Sequence, residues 1–392
     1  MQLVIFSHFF GPSAGGAEMQ VLSLASGIAK QSRIPGAPQF EITVVSGVPD
    51  KDAKESNYPF EVIRRPNFYE VWRLIHRASV VHLAGPILTP LLMATLQRKP
   101  TVIEHHGYQS ICPNGILIHQ PERSVCPGYF QGKRYVECVK CQAHEMPFAR
   151  SILNMLLMIP RYLLSKMVAA NVAITDHVLQ RHALPSSERI YYGTEDLFAG
   201  TAPTALSAKK ACLAFVGRFV PEKGIPVLLD AAAILKNEGL DFTVRLIGDG
   251  PQRAELEEIV ARRALKDHIR ITGYVSGCAM REALQDVSVV VIPSVWEEAA
   301  GLVAIEQMME GRVVIASAIG GLKEVVGDGG FLFPSGDAGA LAALIREVLR
   351  NRDLMESVSK RARERALQLF QIDRMVSDHI CLYLRLAQSS RN

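Results

Sequence analysis

Short apolar runs alternate along this chain with longer stretches whose apolar residues recur every three or four positions. The short runs suit strands buried on both faces and the longer period suits helices laid across them, so the alternation predicts βαβ units and parallel sheets. In the first half Leu3–Ser7, Glu41–Ser46, Val80–Leu83, Thr101–Glu104 and Asn171–Ile174 read as strands. Ala17–Lys30 reads as a helix, because Val21, Leu22, Leu24, Ala25 and Ile28 share one face. A Pro/Ala/Thr/Ser stretch, Ala199–Ala208, then breaks the pattern and reads as an interdomain linker. Strands resume with Cys212–Val216, Thr243–Ile247, Ile269–Thr272, Val287–Ile292 and Val313–Ala316. The helices Ile225–Asn237, Arg253–Ala264, Leu302–Glu310 and Ala338–Leu349 fit between them. The expectation is two Rossmann-like, doubly wound α/β domains facing a central cleft, with a ligand at the C-terminal ends of the strands.

Composition narrows the class. The chain has 392 residues, 48 % apolar and 21 % charged, enough to bury two cores and too apolar for disorder. A net charge of +4 is too small to imply nucleic acid, and the basic surplus lies in the first half. Seven cysteines with no secretory leader in front of them point to a reducing, cytoplasmic compartment. The opening MQLVIFSHFFG lacks a basic n-region and reads as a buried strand. No apolar run is long enough to span a membrane.

Three segments carry candidate chemistry. Phe10-Gly-Pro-Ser-Ala-Gly-Gly-Ala-Glu18 follows the first strand and opens a helix, so Gly15 and Gly16 let backbone N–H groups approach an anion. A tight turn without a ligand is the alternative, and the segment does not match G-x-G-x-x-G, which disfavours a nicotinamide dehydrogenase. Phe215-Val-Gly-Arg218-Phe-Val-Pro-Glu-Lys223-Gly delivers a guanidinium and an ammonium to a strand end, a pairing suited to a diphosphate. The third segment runs from Pro293 to Gly311, with Glu298 in a loop and Glu306 inside the following helix. Both carboxylates are acceptors for sugar hydroxyls.

Together these motifs resemble glycosyltransferase family 4, retaining enzymes of the GT-B fold that use nucleotide-sugar donors. The likeness covers nearly the whole chain and includes Ile247-Gly-Asp-Gly-Pro251, Ala318-Ile-Gly-Gly-Leu-Lys-Glu324 and the Phe331–Gly336 stretch. It implies an acceptor-side domain over residues 1–203, a donor domain over 204–372, and a final helix, about 373–392, that crosses back onto the first domain. It implies that Arg218 and Lys223 hold the diphosphate, Glu306 the donor ribose and Glu298 the transferred sugar. Gly15, Gly16, Gly217, Gly248, Ala300, Gly301 and Leu302 would line the donor, and His106 would stand beside the sugar. Two departures are visible: Ala300-Gly301 replaces the usual Phe-Gly, and Tyr192-Gly193 replaces Asn-Gly. The resemblance implies same-face transfer with no required cofactor or catalytic metal, the nucleotide-sugar being a co-substrate. Charge on the leaving diphosphate would be met by Arg218, Lys223 and the helix dipole after Gly320-Gly321.

Two features lie outside that scheme. Cys112, Cys126, Cys138 and Cys141, in an irregular insertion at about 108–145, read as four ligands for a structural zinc or, alternatively, as free buried thiols. His119 and His144 are spare candidate ligands. Met146–Met167 is unusually apolar, with Pro160 expected to break or kink it. Packing into the core is its commoner explanation, and peripheral contact with the inner face of the cytoplasmic membrane is the alternative. The function expected is sugar transfer from a nucleotide-sugar to a glycan, lipid-linked or small-molecule acceptor. The alternative is a catalytically silent GT-B protein that binds a nucleotide-sugar or a partner.

Overall fold

The computed structural model describes residues 1–11, 16–48, 58–196 and 211–389. It divides into two compact units, Met1–Gly193 with Ile372–Asn392, and Thr194–Gln371. The expected linker Ala199–Ala208 lies outside the described residues, as does Gly15.

The first unit is built on β1 (Gln2–Ser7), β2 (Glu41–Ser46), β3 (Glu61–Arg64), β4 (Val80–Ala84) and β5 (Thr101–His105). A small antiparallel hairpin, β6 (Ile118–His119) with β7 (Ser124–Val125), stands apart from the main sheet. The sheet is completed by β8 (Ala170–Ala173) and β9 (Ser187–Arg189) in the order β3-β2-β1-β4-β5-β8-β9, all parallel. Such a sheet is covered on both faces, which is why β1, β4, β5 and β8 are buried along nearly every residue. The helix Gly16–Gln31 buries Val21, Leu24, Ala25 and Ile28, as its periodicity requires.

The last helix, Ile372–Ser389, adds Met375, Val376, Ile380, Leu382 and Tyr383 to the same core. It packs on Gly16–Gln31 at Gly27, where a Cβ would lie 2.4 Å from Val376 Cγ2. Glycine there is a requirement of close helix approach.

The second unit carries β10 (Ala211–Val216), β11 (Phe242–Ile247), β12 (Ile269–Gly273), β13 (Val289–Ile292), β14 (Val313–Ser317) and β15 (Phe331–Phe333). Their order is β12-β11-β10-β13-β14-β15, again all parallel. The strand order turns back at β10 and β13, the kind of position at which open α/β sheets bind ligands outside the strands' C-terminal ends.

Two expectations are corrected. Pro160 does not break its helix, which runs unbroken from Phe148 to Ser165. Proline there removes the bond to the carbonyl of Leu156, an exposed residue whose carbonyl water can serve. Nor does this apolar segment fill the core. It buries Ser151, Met155, Met158 and Ser165, while Phe148, Ile152, Leu153, Leu156 and Leu163 face outward. Among the described residues no helix is long and apolar enough to cross a membrane.

The Gly27 contact generates a test with a diagnostic sign. In a helix interior Gly→Ala gains about 1 kcal/mol, whereas overpacking a tight contact costs about 1–3 kcal/mol. Because Val376 is stiff at its β-carbon, Gly27→Ala should lower the stability of the first unit in urea unfolding. A stabilised variant would refute the packing argument.

Candidate active site

In the second unit the site is assembled from the ends of β10, β11 and β13. β10 closes on Gly217 and β11 on Gly248, and these backbones touch. A Cβ at Gly248 would lie 1.9 Å from the Gly217 carbonyl oxygen, and Gly248 has φ +143°, so no other residue fits. Gly217 N–H donates to Ile247 O at 3.0 Å, locking the two strand ends together. Arg218 follows directly, with its side chain exposed. Among the described residues its guanidinium has no ion-pair or hydrogen-bond partner.

Lys223 ends a short turn, Pro221–Lys223, that is closed by Gly224 at φ +63°. A Cβ on Gly224 would lie 2.0 Å from Pro293 O, so this turn is pressed onto the end of β13. That contact sets Lys223 beside the loop after β13. Lys223 Nζ donates to Glu298 Oε1 at 2.5 Å, and Ser294 Oγ donates to the same oxygen at 2.7 Å. Glu298 is 5 % exposed. Burial alone would raise its pKa, but the Lys223 ammonium and these hydrogen bonds hold it below the usual carboxylate value. The two residues assigned from sequence to different parts of the donor thus neutralise each other, leaving Arg218 as the uncommitted cation.

The loop after Glu298 is pinned from the other side. Gly321 N–H donates to Glu298 O at 2.7 Å, and a Cβ on Gly320 would lie 2.5 Å from that oxygen. Ala300 is buried, and Gly301, at φ +78°, caps the helix Leu302–Met309. Glu306 reaches solvent from this helix, although the surrounding protein pushes its pKa up to about 7. The helix after Gly320-Gly321 runs only from Leu322 to Val326. The dipole expected there is therefore reduced to a single turn's N–H groups.

In the first unit Gly16 is the first residue of its helix, with the unpaired N–H that position carries. His106 lines a recess with Ser7, His8, Glu18, Gly85, Gln109 and Arg161. Its Nδ1 lies 2.6 Å from Tyr192 Oη, and its Nε2 faces Glu104 Oε2 at 3.8 Å. The tyrosine that departs from the family's Asn-Gly therefore holds the histidine ring. Both ring nitrogens point at protein groups, so the recess meets the ring's edge and face.

Cys112, Cys126, Cys138 and Cys141 are free thiols lining one small cavity with His119. Cys141 Sγ accepts from Gln120 N–H at 3.3 Å, and Cys112 Sγ donates to Asn114 Oδ1 at 2.8 Å. Burial pushes Cys112 up to about 11 and Cys138 up to about 12, so as free thiols both are neutral. Among the described residues, ligand atoms of three or more residues come within 4.8 Å of one another at His82, Glu104 and His379, not at the cysteines. Sequence reading missed this second cluster, the Lys223–Glu298 bond, and Tyr192 as the partner of His106.

Comparison with known proteins gives the class. HepE of Anabaena, solved with UDP and glucose, superposes with a TM-score of 0.71 over 98 % of this chain and 99 % of its own, at 18 % identity. Sucrose-phosphate synthase of Thermosynechococcus elongatus gives 0.70 over 99 % of each chain, at 21 % identity. The chain therefore has the GT-B fold. Its residues 201–365 match the family Glycosyl transferases group 1. The 2-deoxystreptamine glucosyltransferase of Streptomyces kanamyceticus is 37 % identical over 35 % of this chain and 36 % of its own length. The α-D-kanosaminyltransferase of the same organism is 29 % identical over 50 % of this chain and 54 % of its own. The matches thus span about half or less of these relatives. The second unit belongs to the group 1 glycosyltransferases, in keeping with the resemblance to family 4.

The ion pair generates a test. Lys223→Met should destabilise the second unit by about 2 kcal/mol at pH 7. That is below the full cost of stranding a buried charge, because Lys223 is 26 % exposed. The folded pKa of Glu298 is depressed, so its stabilising contribution is present above the unfolded value and lost as pH falls through the folded one. The gap between wild type and Lys223→Met should therefore shrink between pH 7 and pH 4 in urea unfolding. A gap independent of pH would refute the pairing.

Proposed function

We propose that the protein is a retaining glycosyltransferase that moves a sugar from a nucleotide-sugar to a glycan, lipid-linked or small-molecule acceptor. The observation that carries this reading is the exposed, uncommitted Arg218 at a glycine-crossed strand end, beside the buried Lys223–Glu298 pair, inside the segment that matches the family. UDP bound to a GT-B neighbour supports a nucleoside diphosphate as the leaving group.

In this reading Arg218 meets the diphosphate first, and Lys223 turns part of its charge to it while Glu298 stays fixed by Ser294. The glycosidic carbon–oxygen bond to phosphate breaks, and the acceptor oxygen bonds to the anomeric carbon on the same face. The acceptor's proton passes to the departing phosphate oxygen, giving a glycoside and a nucleoside diphosphate. Glu306 accepts from the ribose hydroxyls, and Glu298 orients the sugar rather than attacking it. Gly217, Gly248, Gly301 and Leu302 line the donor, with Gly15 and Gly16 across from them. His106 shields the cationic carbon with its ring. No Asp-x-Asp lies near these motifs to hold Mg²⁺ or Mn²⁺, so transfer proceeds without an added divalent ion. A structural zinc on the four cysteines is a separate reading, which elemental analysis decides. No observation favours the catalytically silent alternative.

The outward apolar face of Phe148–Ser165, flanked by Arg150 and Lys166, supports a cytoplasmic enzyme resting on an anionic membrane surface. The unlike charge and the exposed apolar side chains act together there, as two-signal membrane binding requires.

Transfer should be assayed with a panel of nucleotide-sugars beginning with UDP-glucose. Arg218→Ala should cut turnover about a hundredfold or more with circular dichroism unchanged, the scale of losing one preorganised contact to developing charge. EDTA should leave the initial rate intact. In calorimetry with nucleoside diphosphate alone, Glu306→Gln should weaken binding while Glu298→Gln spares it. Full activity of Arg218→Ala would remove its assigned role.

Vesicles containing phosphatidylserine should sediment the wild-type protein, and Leu153→Ser with Leu156→Ser should abolish this. Equal sedimentation of the two would assign membrane contact elsewhere.

A further inference from the structure

Four buried side chains in the first unit converge on one point that sugar transfer does not use. His82 lies on β4, Glu104 on β5, His106 just beyond β5, and His379 on the last helix. His82 and His379 are wholly buried, and Glu104 is 2 % exposed. The three Nε2 atoms stand 3.2, 3.8 and 3.9 Å from the same oxygen, Glu104 Oε2, for His82, His106 and His379 respectively. None of these Nε2 atoms makes a hydrogen bond. Three unsatisfied imidazole nitrogens around one carboxylate are costly in a protein interior.

The opposite edge of each ring explains what the nitrogens are poised to do. His379 Nδ1 lies 2.9 Å from Met375 O, which can only accept, so Nδ1 carries the proton and Nε2 a lone pair turned toward Glu104. His82 Nδ1 lies 2.8 Å from Tyr383 Oη, and His106 Nδ1 lies 2.6 Å from Tyr192 Oη, two hydroxyls that can accept in the same way. Metal-binding histidines are held in this manner, one nitrogen fixed by an outer partner and the other offered to the ion. Bonds of about 2.0–2.1 Å in a tetrahedral site put neighbouring ligand atoms about 3.3–3.4 Å apart, so the observed spacings need to close by about half an ångström.

We propose that His82, Glu104, His106 and His379 form a tetrahedral site for a divalent transition-metal ion, with Zn²⁺ the best match to three imidazoles and one carboxylate. Four protein ligands leave no open position, so the ion is structural. It ties the last helix to the centre of the first sheet and fixes the ring of His106. The proposal is independent of the cysteines and of the glycosyltransferase reading.

The full-length protein, purified from zinc-supplemented cells, should hold about one equivalent of metal more than His82→Gln or His379→Gln does. Exchange with Co²⁺ separates this site from the cysteines. Imidazole and carboxylate ligands give visible bands of tetrahedral cobalt without near-ultraviolet charge transfer from thiolate. Those bands should be present in the wild type and absent from His379→Gln, while any thiolate band persists. Adding Zn²⁺ to chelator-treated protein should raise the melting temperature of the wild type and not that of His379→Gln. Should His379→Gln fail to fold by circular dichroism, the wild-type cobalt spectrum decides alone. Bands from thiolate only, no bound cobalt, or equal metal content in the wild type and both variants would overturn the proposal.

Discussion

Parallel pairing is the constraint from which most of this molecule follows. Every strand of both main sheets runs in the same direction as its neighbours, so the C-terminal ends emerge along one edge of each sheet. Each chain reversal has to happen there, and the reversals are where glycine and charge collect. Gly217 and Gly248 cross at such ends, Lys223 and Glu298 meet at another, and His8 and His106 follow β1 and β5. The chemistry is concentrated at strand ends because hydrogen-bonded strands buried on both faces have no room for it elsewhere.

The same constraint decides what was legible in the sequence. Strands buried on both faces announce themselves as apolar runs, and Glu41–Ser46 and the other central strands were readable to within a residue or two. The main-sheet strands that escaped, Glu61–Arg64, Ser187–Arg189 and Phe331–Phe333, all lie at sheet edges. An edge strand is short and half exposed, so it needs no apolar run. The helix Phe148–Ser165 misled in the opposite sense. Its apolar content was plain, but which face turns inward depends on neighbours that no local pattern contains.

Within the site, the individual motifs were legible and their couplings were not. Lys223 and Glu298 are 75 positions apart, and nothing local says that their charges pair. The substitution of Tyr192 for asparagine looked like a loss, yet its hydroxyl holds the His106 ring. His82 and His379 each sit in unremarkable apolar stretches. Only the packing of the last helix against β4 brings them to one carboxylate.

That last helix has a consequence for how the protein is made. It contributes Met375, Val376, Ile380 and Tyr383 to the core of a unit whose other residues come before the whole of the second unit in the chain. On the ribosome the first sheet therefore emerges with one apolar face uncovered, and it stays so until Thr194–Gln371 has been synthesised. The second unit, continuous in sequence, has every element it needs as soon as it is out. The nascent chain thus completes its later domain before its earlier one, and the exposed strip at Val21, Leu24 and Ile28 is the surface a chaperone would have to guard in the interval.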